Sequence, residues 1–419
     1  MAAGSPRPAR RAGFWASPMP DSLADRLPRP ATVLRDASLT SVTAGFLAVL
    51  ISFAGPLLIY LQAAVAMDVD AALFSSWVAA IFAGAGVASL VLSLWTRIPV
   101  LVAWSAPGNV LLVTVGPTLS YPEIIGAYVL SALAIFVIGL SGAFDRLVRL
   151  VPAGVAAGMM AGILFRFGAD AFVGFETAPV MVGTLLIAFL VLSRLTPRYA
   201  LIWLLAGSLV YMALRGDAGE ASLGLAMPAM TAAWPAFSLD AALGFALPLV
   251  VTTLTGQFLA GLAILKANGF TTPARPILTT ASLLSLPAAL FGGITIALAS
   301  ITMALGASEE SHPDPDRRYV AGVASGLFFL LGALGAGSIV ALLRGLPTEL
   351  IALLAGLALL GAIAKGMSDM LGDTANRQAG MLTFVVTASG VSVLGIGAAF
   401  WGLVVGLVAL QIGRSINVR

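Results

Sequence analysis

Few residues of this sequence carry groups that could make, break or coordinate a bond. Cysteine is absent from the 419 residues, which excludes disulfides, thiolate metal sites and cysteine nucleophiles. The single histidine, His312, lies among Glu309, Glu310, Asp314 and Asp316. A metal needs ligands that converge on one point, and one imidazole among acids strung along a Pro-containing loop has no metal-site spacing. A loop clasp or a gate contact fits it better. No Ser/His, His/Glu or paired-Asp arrangement falls within an apolar stretch, which argues against an intramembrane enzyme. No Walker-type glycine loop is present, which excludes ATP-driven work by this chain alone. No cofactor is called for.

What remains is a set of uncharged polar residues inside long apolar runs. Gln257 is the only amide in its run, and such a group either faces a ligand or bonds a neighbouring helix. Ser105 and Ser300 stand where two runs are interrupted, placed to cap a helix or to touch a ligand. Gly108, Asn109 and Thr302 follow in the first turns after those interruptions. Phe53 and Trp104 could stack an aromatic ring or simply fill space. Arg166 and Asp170, four residues apart, read as a structural ion pair near a membrane edge, with a proton relay as the alternative.

The elements that must position these residues follow from composition. Mean hydropathy is +1.02 and only 10% of residues are charged, against about a quarter in soluble domains. The chain is a polytopic membrane protein with the lipid bilayer as its surroundings. Charge-free runs cover 37–67, 71–96, 98–122, 124–144, 150–165, 177–193, 199–214, 241–265, 276–308, 319–343, 350–364 and 378–413. Two are too long for one span: Pro287 with Gly292-Gly293 cuts one, and Gly390 with Gly395 cuts the other. The expected fold is thus all-α with about 14 spans.

Charge sorting supports that count. With the N-terminus inside, Arg97, Arg146, Arg149, Arg194, Arg198, Lys266, Arg275, Arg317, Arg318, Lys365, Arg377, Arg414 and Arg419 face the cytoplasm, while Arg215 and Arg344 fall outside and Arg166 near the outer end of the fifth span, the bias the positive-inside rule describes. The net charge of +3 therefore needs no nucleic-acid partner. Residues 1–35 carry an Arg- and Pro-rich, apolar-poor tail, read as a disordered cytoplasmic segment rather than a cleaved signal. Both termini are expected in the cytoplasm.

The halves echo each other at about 195 to 200 residues: Gly55-Pro56 against Gly256-Gln257, and Pro99–Ser105 against Ile294–Ser300. An odd number of spans per half makes the repeat inverted, over 36–215 and 238–419 with 216–237 as linker. Spans 3 and 10 read as broken, a short strand followed by about ten residues of half-helix. Their N-termini would converge near the midplane and make an anion site without a charged side chain. Ordinary Pro/Gly kinks in continuous helices are the competing reading.

Several stretches resemble the bacterial benzoate–proton symporter family: VLVAWSAPG ending at Gly108, ILFRFGAD (163–170), FGGITIALASITMALG (291–306), EESHPDPDRRY (309–319) and FVVTASGVSVLGIGAAFWGLVVGL (384–407). The family resembles, more distantly, uracil permeases and sulfate transporters. The resemblance implies a core domain (spans 1–4 and 8–11), a gate domain (5–7 and 12–14), and substrate held between the half-helices of spans 3 and 10. It implies elevator-type import of benzoate or a related aromatic carboxylate with a proton, across a bacterial inner membrane. An anion channel, or a carrier of another small anion or a nucleobase, is the alternative. Nucleobase permeases carry a carboxylate where Gln257 stands, and a neutral amide suits an anionic substrate. That departure leaves the proton carrier unassigned, with Asp170, Glu309 and Glu310 as candidates. The sequence leaves monomer and homodimer open.

Overall fold

A run of apolar residues surrounded by lipid must bond every backbone N–H and C=O internally, so uninterrupted runs become helices. The computed structural model describes residues 30–215, 226–271 and 273–416. Among these, 7 helices are long and apolar enough to cross a membrane, from Leu39–Ala66 to Thr348–Gly372. Shorter apolar helices, Pro179–Leu195, Ala200–Val210 and Ala398–Ile412, accompany them.

In chain order the first part comprises α1 (Pro30–Asp36), α2 (Leu39–Ala54), α3 (Pro56–Ala66), α4 (Ala71–Thr96), β1 (Val102–Trp104) and α5 (Ala106–Val115). It continues with α6 (Tyr121–Ser141), α7 (Phe144–Leu150), α8 (Ala153–Asp170), α9 (Gly174–Thr177), α10 (Pro179–Leu195) and α11 (Ala200–Arg215). The second part opens with α12 (Leu239–Ala241), α13 (Leu247–Thr252), α14 (Ala260–Ala267), α15 (Ala274–Leu290), β2 (Ile296–Leu298) and α16 (Met303–Ala307). It ends with α17 (Tyr319–Leu334), α18 (Ala336–Arg344), α19 (Thr348–Gly372), α20 (Arg377–Ser389) and α21 (Ala398–Ile416). α12 to α14 form one helical rod containing two π-helical stretches, Ala242–Ala246 and Thr253–Leu259.

The two strands are the only extended ladder among the described residues, and they pair with each other. β1 and β2 run antiparallel with Val102 opposite Leu298, Ala103 opposite Ala297 and Trp104 opposite Ile296. A two-stranded ribbon has two open edges, and buried edges must find partners. Serines on flanking helices supply them. Ser89 Oγ receives the Val102 N–H at 2.9 Å, and Ser93 Oγ receives the Val100 N–H at 3.2 Å. On the other edge Ser285 Oγ receives the Ile296 N–H at 2.9 Å. Ser89 and Ser93 are one helical turn apart on α4, so a single helix face seals the β1 edge.

Small residues set the helix spacing around this ribbon. α17 packs on α4 and α2, α15 on α6 and α4, and α3 on α5. A Cβ at Gly326 would lie 2.7 Å from the Gly86 carbonyl oxygen, so the α4 and α17 backbones meet where only glycine fits. A second set, α8, α19, α20 and α21, packs on itself, and α19 meets α3.

Two expectations need correction. The last residues of the expected 1–35 tail are ordered as α1, tied down by Asp36, which accepts a hydrogen bond from Tyr319 Oη at 3.0 Å and lies 3.6 Å from Arg97. A buried carboxylate with a hydroxyl donor and an arginine beside it orders the segment. Residues 1–29 lie outside the described residues, as do 216–225 of the linker. The remainder of the linker runs without helix, held by Ser75 and Ser76, whose hydroxyls accept the N–H groups of Ala229 and Thr231. Of the expected break at Pro287 and Gly292-Gly293, Pro287 takes no part, since it sits inside α15, and the chain turns at Gly292, whose φ of +84° suits glycine.

Candidate functional site

Four backbone irregularities meet at one point. α2 stops at Gly55, and Pro56 starts α3 in the first-turn position where its missing N–H costs nothing. β1 passes into α5 at Ser105, whose hydroxyl caps the helix by accepting the Gly108 N–H at 3.2 Å. The stretch Thr253–Leu259 widens to π-helix. β2 runs into α16 through a turn in which the Thr302 N–H donates to the Ala299 carbonyl at 3.0 Å. Between them lies a cavity of about 30 Å³, lined by Ser52, Pro56, Trp104, Gln257, Ser300 and Thr302 with alanine and isoleucine neighbours.

The π-helical stretch explains how one helix serves both broken segments. An extra residue in a helical turn swings side chains off the regular face, and such bulges recur at functional sites. Thr253 Oγ1 donates to Ser105 Oγ at 3.0 Å, at the head of α5. Gln257 Oε1 accepts from Ser300 Oγ at 3.1 Å, at the end of β2. Two residues of one widened turn thus reach the two serines that echo each other in sequence. With its carbonyl oxygen engaged by Ser300, Gln257 is left presenting its amide N–H groups, the end that bonds an anion.

The wall carries no charged side chain. Its hydroxyls are largely spent, Ser52 on the Ala48 carbonyl at 2.9 Å, Ser300 on Gln257 and Thr302 on the Ala299 carbonyl, so the donors left for a ligand are the Gln257 amide and the Trp104 indole. The Trp104 indole nitrogen is buried with no hydrogen-bond partner among the described residues. A carboxylate moved from water into such a place needs these donors to offset its desolvation. The start of α5, ten residues long, adds the positive end of a helix dipole.

The sequence-derived residues divide as follows. Trp104, Gln257, Ser300 and Thr302 come together in the wall. Ser105 stands just behind it as the α5 cap, fully buried. Gly108 is wedged against Leu249 and Ile294, which leave no room for a Cβ. Asn109 donates to the Pro56 carbonyl at 2.8 Å, bracing the α2–α3 break from behind. Phe53 is not in the wall; it stacks on Phe82 with centroids 5.0 Å apart. Asp170 and Glu309 are exposed and away from the cavity, and Glu310 pairs with Arg198.

Two expectations about charges and helices fail. Arg166 and Asp170 form no ion pair; the Arg166 guanidinium lies over Gly390, the left-handed residue that ends α20. An exposed pair gains little, so the long side chain follows local packing instead. The half-helix after β2 is α16, only 5 residues rather than about ten. Residues 300–302 spend the missing length in a turn, so its dipole is weak and α5 carries most of that effect.

Sequence reasoning passed over Arg318, Thr253 and Ser52. Arg318 is 4% exposed and donates to three carbonyls, including Ala307 at the α16 C-terminus (2.9 Å) and His312 (2.8 Å). A cation at a helix C-terminus is favourable. It shapes the 307–313 loop into which His312 folds as a clasp, its Nδ1 accepting the Asp314 N–H at 3.0 Å. The Arg317-Arg318 doublet was the available signal. Nothing in the sequence separates Thr253 from its neighbouring threonines.

Comparison with known proteins fits this geometry. The family model described as benzoate membrane transport protein matches residues 35–412. The benzoate membrane transport protein of Acinetobacter baylyi is 46% identical over 380 residues, 90% of this chain and 96% of the relative. The inner membrane protein YdcO of Escherichia coli K12 is 38% identical over 366 residues, 87% of this chain and 94% of the relative. Among solved structures, SLC26A9 matches with a TM-score of 0.65 at 12% identity, over 92% of this chain and 66% of that one. The transmembrane domain of the cyanobacterial bicarbonate transporter BicA matches with a TM-score of 0.55 at 17% identity, over 90% and 96%. At those identities the likeness is one of fold, that of a mostly helical membrane transporter. With nearly its whole length matched at both levels, the chain belongs to the benzoate membrane transport protein family and is a multi-pass membrane transport protein rather than an enzyme.

Proposed function

We propose that the protein is a secondary transporter that imports benzoate, or a closely related aromatic carboxylate, together with a proton across a bacterial inner membrane. The observation that carries this reading is the cavity at Gln257, Ser300 and Trp104, free of charged side chains, where the Ser300 hydroxyl holds the Gln257 carbonyl oxygen and leaves the amide N–H groups to a ligand. An anion is the ligand for which such a wall compensates, and a fixed carboxylate there would oppose it. The name of the family and of the Acinetobacter relative supports benzoate as the substrate.

In this reading the chain makes fourteen spans as two inverted repeats, 36–215 and 238–419, with both termini cytoplasmic. α2–α6 and α12–α18 form the moving core, and α8–α11 with α19–α21 form the gate. A cavity of about 150 Å³ is known to hold a benzene ring, whereas this one has about 30 Å³. The site is therefore too small for the ring as it stands and admits it only when the core shifts against the gate. That favours alternating access over an open anion channel. Among the carboxylates considered for proton coupling, Glu310 is the one that lines a cavity, beside Arg198.

Equilibrium binding of labelled benzoate to Gln257 variants tests the site. Gln257→Glu places a second negative charge beside the ligand and forfeits a charge-assisted bond worth about 1.5–3 kcal/mol, so affinity falls tenfold or more. Gln257→Ala removes one contact without adding repulsion and does less harm. Glu at 257 binding benzoate as well as Gln at neutral pH would mean that the residue does not face the carboxylate.

A further inference from the structure

We infer that a second carboxylate site lies in the vestibule at Arg198, separate from the Gln257 cavity and on the path between it and the aqueous phase; this rests on the transport reading above. The vestibule is a cavity of about 280 Å³, well above the roughly 150 Å³ that accommodates a benzene ring. Leu39, Leu47 and Leu305 provide apolar wall, Thr40 and Thr43 provide hydroxyls, and Arg198 with Glu310 provides the charged rim. Apolar surface for a ring beside a guanidinium for its carboxylate is the pairing an aromatic acid requires.

A single face of α2 connects the two cavities. Thr40, Thr43, Ala44 and Leu47 line the vestibule, and Ile51, the next position of that i, i+3, i+4 stripe, lines the inner cavity. The segment around α16 repeats the arrangement, with Leu305 facing the vestibule and Ile301 and Thr302 facing the inner cavity. A ligand leaving Gln257 and Ser300 along this face meets Arg198 next.

Glu310 already occupies Arg198 as an ion pair, with side chains 54% and 60% exposed. A solvated pair of this kind is weakly held. The guanidinium offers a flat fork of donors that matches any carboxylate bidentately, so the substrate carboxylate exchanges with Glu310 there. Glu310 acts as a tethered competitor that keeps the station from retaining the substrate.

Labelled benzoate titrated onto the full-length protein in nanodiscs of zwitterionic lipid, above empty nanodiscs, tests this by counting sites. The wild type shows a tighter and a weaker class. Glu310→Gln tightens the weaker class by about two- to fivefold, the worth of an exposed pair. Arg198→Gln abolishes the weaker class and leaves the tighter one, Arg198→Lys falls between, and Gln257→Glu weakens only the tighter one. Arg198 and Glu310 are both solvent-facing, so these variants keep the fold. A single class of site, unchanged by Arg198→Gln and Glu310→Gln, overturns the vestibule site and leaves the inner-site reading standing. No benzoate bound by the wild type overturns both.

Discussion

Ser105 joins three parts of the molecule through one hydroxyl and one N–H. It caps α5, accepts from Thr253 of the π-helical stretch, and continues the ribbon by donating its N–H to the Thr295 carbonyl at 2.9 Å. Replacing it with alanine removes the cap and leaves Thr253 without its acceptor. Ser105→Ala should therefore lower stability by about 1–2 kcal/mol, read as a fall in the thermal midpoint of the purified protein. Ser300→Ala acts differently. It frees the Gln257 amide to turn, so benzoate binding should weaken several-fold with a smaller change in midpoint. A larger loss of binding from Ser105→Ala than from Ser300→Ala, at equal folded fraction, would reverse their assigned roles. These residues were legible in the sequence because a polar side chain stands out in a charge-free run. The serines that seal the ribbon edges were not. A helical serine commonly bonds its own preceding turn, as Ser282 does with the Leu278 carbonyl at 2.6 Å, so a hydroxyl alone does not signal a distant partner.

Among the elements, the β1–β2 ribbon fixes the site, and the close contact of α4 with α17 holds one side of it. Gly326→Val would press two methyl groups toward the Gly86 carbonyl and Leu90. Overpacking of this kind costs about 1–3 kcal/mol, and the displacement would pass through α4 to β1. Reduced thermal stability with weakened benzoate binding is the expected result, measured on the same preparation; unchanged values for both would show that α4 and α17 do not position the ribbon. The broken segments could be read from Val/Ile-rich stretches ending at Pro and Gly, and the length of α5 followed from where its run ends. The shortness of α16 could not. Residues 300–302 turn, with the Ala299 carbonyl accepting the Thr302 and Met303 N–H groups, before the helix begins, and no local pattern encodes that. The π-helical stretch was hidden for a similar reason: its propensities are those of ordinary helix, and tertiary bonds to Ser105 and Ser300 favour the widened turn.

At the scale of the molecule, orientation and movement carry the proposal. The absence of cysteine makes single-cysteine variants unambiguous reporters. A cysteine at position 312 should resist impermeant reagents added to intact cells and react once the membrane is opened. Labelling from outside would break the fourteen-span arrangement. A crosslink that fixes α2 to α11, which pack together across the proposed core–gate boundary, should abolish uptake while leaving benzoate binding measurable. Transport through a confirmed rigid crosslink would count against elevator movement. The central claim, that this chain couples an aromatic carboxylate to a proton, is tested most directly by labelled benzoate uptake into proteoliposomes holding the purified protein, with and without an imposed pH gradient, acid outside. The account predicts saturable accumulation above the outside concentration, in excess of protein-free liposomes, that collapses when a protonophore removes the gradient. Uptake no greater than in protein-free liposomes, or uptake that only equilibrates and ignores the gradient, would contradict it.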